Sequence, residues 1–249
     1  MLLGDGKKIA TTCIGEVVDA LRLASEATNM NEEVVRKFGG DVAVAVRCLA
    51  VTDEICADFT ERGATEMLIR LMQKYGDDAR LCSRCCLALK MISNNDANKR
   101  TLVLKGGLDV ILSAMSTHSI NVDVQAQCLA TLSNICLRQP ENCIAVVENH
   151  GVPLILTGMQ RLPNAVNVQR SGCLALRNLV SRNKEHVDII LGCGAEDICR
   201  AARARHPQCN DVAFSALRDL GCAASYKKPE QMEREKKEAE HARKGFQRC

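Results

Sequence analysis

Between Asn142 and Arg182 the order of apolar and polar positions predicts three helices of increasing length. The first, Asn142–Asn149, carries Ile144, Val146 and Val147, and His150-Gly151 stops it, because glycine tolerates the left-handed backbone that a helix stop requires. The second, Val152–Arg161, sets Leu154, Ile155 and Met159 at helical spacing. Pro153 is acceptable there, since a first-turn proline gives up an amide hydrogen that has no intrahelical partner. Pro163 and Asn164 end that helix, and Val166–Arg182 then presents Val166, Cys173, Leu176, Leu179 and Val180 along one broad apolar face.

The same pattern recurs along the chain. A Gly before an apolar helix stands at Gly63, Gly107, Gly151 and Gly194, with spacings of 44, 44 and 43 residues. Leu89, Leu132, Leu176 and Leu217 close similar segments at spacings of 43, 44 and 41. Two markers that keep one period predict a helical solenoid, in which each unit buries its apolar face against the next. The N-terminal part is less regular. Gly15–Thr28 reads as a third helix, Asn31–Phe38 as a first and Asp41–Val51 as a second, but Gly40 and Gly63 are only 23 residues apart, so a third helix is missing or fused. The expected division is residues 1–62 as degenerate N-terminal helices, 63–222 as four repeats, and 223–249 as a linker and charged helical tail. A chain that opens in mid-unit is expected to cap itself atypically or to be the C-terminal half of a longer array.

The third helices close on Leu132-Ser133-Asn134-Ile135, Leu176-Arg177-Asn178-Leu179 and Leu217-Arg218-Asp219-Leu220, with a weaker Leu89-Lys90-Met91-Ile92. These stretches resemble the end of the third helix of the armadillo repeat, and the short helix before each Gly argues against the two-helix HEAT repeat. The stretch Ala216–Cys222 is similar to that of the armadillo repeat-containing protein six group. The resemblance covers about residues 10–222 and implies an all-α, right-handed solenoid with three helices per repeat, whose third helices line a concave surface. Counting helically from the Leu markers, that surface should carry Arg84, Leu87 and Met91, then Gln127, Ala130, Asn134 and Arg138, then Arg170, Leu174, Asn178 and Arg182, then Ser215 and Asp219. In the family, Asn at the position of Asn134 and Asn178 hydrogen-bonds the backbone of an extended peptide; the other reading is that it satisfies backbone groups between repeats. Import adaptors of the family place Trp four residues before the Asn, where it brackets lysine stems. Leu87, Ala130, Leu174 and Ser215 stand there instead, and the chain has no Trp, which disfavours basic signal peptides as ligands. Arg170, Arg177 and Arg182 suit an acidic or phosphorylated segment, or form a solvated helix face.

Composition sharpens this picture. The chain of 249 residues is 47% hydrophobic but only 2% aromatic, so its core is expected to be packed from aliphatic residues, Met and Cys, and an aromatic platform for single-stranded nucleic acid is not expected. Its formal charge of +3 resides wholly in residues 227–249, which hold 8 basic and 5 acidic side chains. The body is therefore neutral, which disfavours nucleic acid as a partner. No apolar stretch approaches the ~20 residues of a membrane span. Fifteen cysteines, an odd number with no secretory signal, predict a soluble, intracellular protein in a reducing compartment, most simply the cytoplasm.

Cys82, Cys85 and Cys86 have metal-like spacing but no second pair, and their i, i+3, i+4 positions predict small core residues, as for Cys128, Cys136, Cys173 and Cys199. No metal, cofactor, phosphate loop or catalytic constellation is expected, and the five histidines fall mostly at helix ends and loops. In the tail, Met232, Ala239 and Phe246 are seven apart, one thin stripe able to dock on a partner or on the last repeat. The expected function is thus non-catalytic: a protein-interaction module that holds a partner segment on its concave face, or a structural scaffold subunit of a large assembly without a groove ligand.

Overall fold

The computed structural model describes residues 2–222, with side chains from Cys13 onward. Among these residues the chain forms fourteen α-helices, one 3-10 turn and no strand. Two long helices come first, α1 (Leu2–Glu26) and α2 (Glu32–Leu49). Three triplets follow: α3 (Asp53–Glu61), α4 (Ala64–Lys74) and α5 (Ala79–Ile92); α6 (Asp96–Leu104), α7 (Gly107–Thr117) and α8 (Val122–Cys136); α9 (Pro140–Glu148), α10 (Gly151–Arg161) and α11 (Val166–Ser181). The last triplet is α12 (His186–Gly192), α13 (Ala195–Arg205) and α14 (Asn210–Asp219), the turn Pro207–Cys209 leading into α14.

Helices of like rank stack. The third helices α5, α8, α11 and α14 pack in series, and α2 packs on α5 at the head of that row. The second helices α4, α7, α10 and α13 form a parallel row headed by α1. This corrects the N-terminal reading. Residues 15–28 do not supply a third helix but the end of a second-rank one, and the expected helices Asn31–Phe38 and Asp41–Val51 are one helix of third rank, so none is missing. Gly39-Gly40 does not break α2; both glycines are buried inside it, where neighbouring elements approach closely. A Cβ at Gly39 would stand 3.2 Å from Leu71, and one at Gly40 would stand 3.3 Å from Arg84.

Local chemistry sets the helix boundaries. Asn31, Asp78, Asn95 and Asn121 accept backbone N–H groups in the first turns of α2, α5, α6 and α8. Between first and second helices one residue adopts the left-handed conformation: Gly63 (φ 83°), Gly106 (φ 83°), His150 (φ 58°) and Gly194 (φ 84°). Gly107 and Gly151 are thus not the stops. Each is buried at the first position of its second helix, where a Cβ would lie 2.2 Å from Leu102 or 2.6 Å from Val146.

Repeated side-chain caps join the helices of each unit. Gln125 Nε2 donates to the carbonyls of Met115 (2.7 Å) and His118 (3.1 Å), and Gln169 Nε2 does the same to Met159 (2.8 Å) and Leu162 (3.0 Å). Asn98 and Asn142 tie the first helices back through Nδ2 to the carbonyls of Ile92 (2.7 Å) and Ile135 (2.9 Å). The core is a continuous ribbon that includes Leu89, Leu132, Leu176 and Leu217, all fully buried. Cys82, Cys85, Cys86, Cys128, Cys136, Cys173 and Cys199 belong to it, as their spacing predicts. Burial pushes the Cys82 thiol up to about 12, the direction expected of a thiol held as a small apolar side chain.

Candidate interaction face

The exposed side of the row α2, α5, α8, α11 and α14 brings most of the expected residues together. Leu87, Ala130 and Leu174 are each half-buried on successive third helices and form a central apolar row. Beside it run Met91, Asn134 and Asn178, also half-buried. Arg84, Gln127 and Arg170 occupy the N-terminal halves of α5, α8 and α11, and Arg138 and Arg182 stand exposed just past the ends of α8 and α11. Met232, Ala239 and Phe246 lie outside the described residues.

The asparagines bind the solenoid itself. Asn134 Nδ2 donates to the carbonyls of Ser93 (2.9 Å) and Lys90 (3.3 Å), and Asn178 Nδ2 donates to the carbonyl of Ser133 (2.8 Å). Of the two readings open in the sequence, the geometry supports the inter-repeat one for these amide hydrogens. They take up carbonyls near the C-terminal ends of α5 and α8, groups that a helix end leaves unsatisfied.

The charged members differ in how far they are engaged. Arg84 pairs with Asp41 of α2, and Asp219 is held by Arg177 (3.1 Å) and Arg218 (2.8 Å). Burial is the largest single effect on the Asp219 carboxyl and raises it, but the hydrogen bonds and charges of Arg218 and Arg177 together outweigh it and hold the carboxyl below the usual range. Arg138, in a left-handed conformation (φ 63°), lies 3.4 Å from Asp96. Arg80, Lys90, Arg170 and Arg182 have no ion-pair or side-chain hydrogen-bond partner among the described residues.

One site escaped the sequence reading. Lys99 in α6 is only 1% exposed, and its Nζ donates to Asp96 Oδ1 (3.0 Å) and to the carbonyl of Leu137 (3.1 Å). It replaces a thiol: Cys56 and Cys143 hold the corresponding places in α3 and α9 and reach the carbonyls of Met91 (3.4 Å) and Asn178 (3.5 Å). The signal was present in the spacing, since Cys56, Lys99 and Cys143 follow the repeat period.

Among the described residues, no group of three or more His, Cys, Asp or Glu side chains is arranged to hold a metal ion. No described helix is long and apolar enough to cross a membrane.

The fold is that of an armadillo-repeat solenoid. A designed armadillo repeat protein superposes with a TM-score of 0.72 over 86% of this chain and 87% of that one, at 17% identity. Among natural proteins, the chain is similar to the Armadillo repeat-containing protein 6 homolog of Drosophila melanogaster, 29% identical over 108 residues, which are 43% of this chain and 23% of that protein. It is likewise similar to Armadillo repeat-containing protein 6 of Homo sapiens, 34% identical over 102 residues, 38% of this chain and 20% of that protein. The matched region thus spans about a fifth of the length of these curated relatives. No family model matches the chain.

Proposed function

We propose that this chain is a non-catalytic interaction module that holds a partner segment across its third helices. The observation that carries the reading is the row Leu87, Ala130 and Leu174, half-exposed apolar side chains in register on three successive helices. Apolar residues so placed add nothing to the stacking of repeats that full burial would not supply better. Together they make a strip on which a partner can lay its own apolar groups. The reading includes the tail residues Met232, Ala239 and Phe246 as a second contact.

Exposed apolar side chains on the first helices favour a second reading, a scaffold subunit of an assembly. Leu104 (83% exposed), Ile144 (38%) and Ile189 (49%) lie on α6, α9 and α12, away from the strip.

The two readings separate with a pair of variants. Ala130→Trp puts bulk in the middle of the strip without changing charge, while Leu104→Arg spoils the first-helix side. A groove module loses its partner on Ala130→Trp, by about tenfold or more in affinity, and keeps it on Leu104→Arg. The reverse pattern supports the scaffold reading and removes the groove. Substitution of Asn134 or Asn178 is a poor substitute for this test, because either change also unties neighbouring repeats.

A further inference from the structure

The formal charges of the three central units are sorted by helix rank. The third helices α5, α8 and α11 hold five basic residues, Arg80, Arg84, Lys90, Arg170 and Arg177, against one acid, Asp123, a net of +4. The first helices α3, α6 and α9 hold seven acids against Lys99 and Arg100, a net of −5. The second helices are nearly balanced. A body that is neutral as a whole therefore presents one basic face and one acidic face.

On the basic face the cations take the margins. Arg84 and Arg170 flank the central strip on the side of the helix N-termini, and Arg138 and Arg182 flank it on the other. Arg170 and Arg182 are twelve residues apart on one helix and its cap, a separation of about 18 Å at the helical rise per residue. At the α2–α5 end, Arg80 and Arg84 line a cleft of about 230 Å³ together with Arg36 and Lys37. Glu33 and Asp78 line it too, so this end is of mixed charge, whereas α11 contains no acid at all.

We infer that the segment held by this face is acidic and extended, with its strongest contacts at α11. The inference rests on the groove reading above and specifies its ligand. An extended chain points successive side chains to opposite sides, so a segment lying along the apolar strip sends alternate carboxylates toward the two basic margins. Neighbouring third helices lie about 8–10 Å apart, and an extended chain rises about 3.3 Å per residue. About three residues therefore pass each repeat, which offers each margin one or two carboxylates per repeat. Arg170 and Arg182, which have no ion-pair partner among the described residues, accept such contacts without first releasing an internal acid. Arg84 must exchange Asp41 for the ligand, so it contributes less. Guanidinium groups match carboxylates in a bidentate fork, which favours arginine in this role.

Three labelled peptides of about twelve residues, long enough to cross the central repeats at that rise, test the inference by fluorescence anisotropy: one of Glu throughout, so that acids point to both margins, one of Gln and one of Lys. The full chain should bind the Glu peptide, and binding should weaken between about 50 and about 200 mM salt, where screening grows. The double change Arg170→Glu with Arg182→Glu should weaken it about tenfold or more, each lost contact being of the charge-assisted kind. The same charge change at Lys105 and Arg161, outside the third-helix row, should leave it within about twofold, as screened surface charges contribute little. An equal loss from both double variants would mean that only overall charge is read, and would overturn the inference. So would binding of the Gln or Lys peptide in preference to the Glu peptide. If that preferred peptide is lost on Ala130→Trp, the groove reading survives and only its acidic ligand falls. If none of the three depends on Ala130, both fall.

Discussion

His150 is the one residue at the four first-to-second helix junctions that holds the left-handed backbone with a Cβ; Gly63, Gly106 and Gly194 hold the other three. An L residue there costs roughly 1 kcal/mol. His150 is exposed and makes no side-chain cap, so nothing at this position offsets the strain. His150→Gly is expected to stabilise the chain by about 1 kcal/mol, raising Tm by about 2–4 °C for a domain of this size. The adjacent Gly151→Ala should do the opposite, by about 1–3 kcal/mol, as overpacking does, because its Cβ would meet Val146 at 2.6 Å and that residue's backbone oxygen at 2.7 Å. Thermal unfolding of the two variants side by side checks both signs. A shift of the same sign in both variants would contradict the geometry, because one inserts a glycine where positive φ favours it and the other removes one where a Cβ does not fit. The sequence marks Gly63, Gly107, Gly151 and Gly194 as one series, yet these are two series one residue apart. Only the backbone separates those that need positive φ from those that need the missing Cβ.

At the scale of elements, the junction of α6 with α8 is built differently from its neighbours. Cys56 and Cys143 join their units with a neutral thiol, whereas Lys99 brings a charge into the same buried place and relies on Asp96 to balance it. The hydrogen bond from Lys99 holds the Asp96 carboxyl below its usual range, with Arg138 adding to the effect. A depressed carboxyl contributes stability that is fully present above its unfolded value, about 3.9. That contribution is lost as pH falls through the lower folded value. Asp96→Asn should therefore lower Tm at neutral pH, and the difference from the parent chain should shrink as pH falls below about 4. Tm measured from neutral to acid pH checks this, and a difference that stays constant across the range would show that charge at Asp96 plays no part. Replacing Lys99 alone by Met removes one partner of that pair and the donor to the Leu137 carbonyl, so it too should lower Tm at neutral pH.

The same scale explains which elements were legible in the sequence. The triplet from α9 to α11 was, because proline, glycine and apolar spacing all mark its ends. The rank of α1 and α2 was not. Gly39-Gly40 has the composition of a break, and only the approach of Leu71 and Arg84, 32 and 44 residues further on, makes it an interior packing site. Likewise the type and spacing of Asn134 and Asn178 point equally to a peptide or to a neighbouring repeat. Carbonyls 41 and 45 residues earlier take their hydrogens.

For the whole molecule, composition alone understated the charge. A neutral body suggests no preference among partners, but sorting its charges by helix rank resolves it into a third-helix face of net +4 and a first-helix face of net −5 in the central units. That sorting was available from the sequence once helices were ranked, because the period assigns each residue to a first, second or third helix. What the sequence could not supply was which cations are spent internally, as Arg84 is on Asp41 and Arg177 on Asp219. Leu, Ala and Cys make up much of the core, and Phe59 and Tyr75 are the large fully buried aromatics among the described residues.

The central claim is that the third-helix face, rather than the first-helix side, receives the partner. Site-specific photo-crosslinking in cells tests it most directly, with a benzophenone amino acid placed singly at Leu174 on α11 or at Leu104 on α6, both solvent-accessible positions. The account predicts a discrete adduct from Leu174 that disappears when Arg170 and Arg182 are reversed, and none of that mass from Leu104. Discrete adducts from Leu104 alone, unchanged by the arginine reversals, would contradict it.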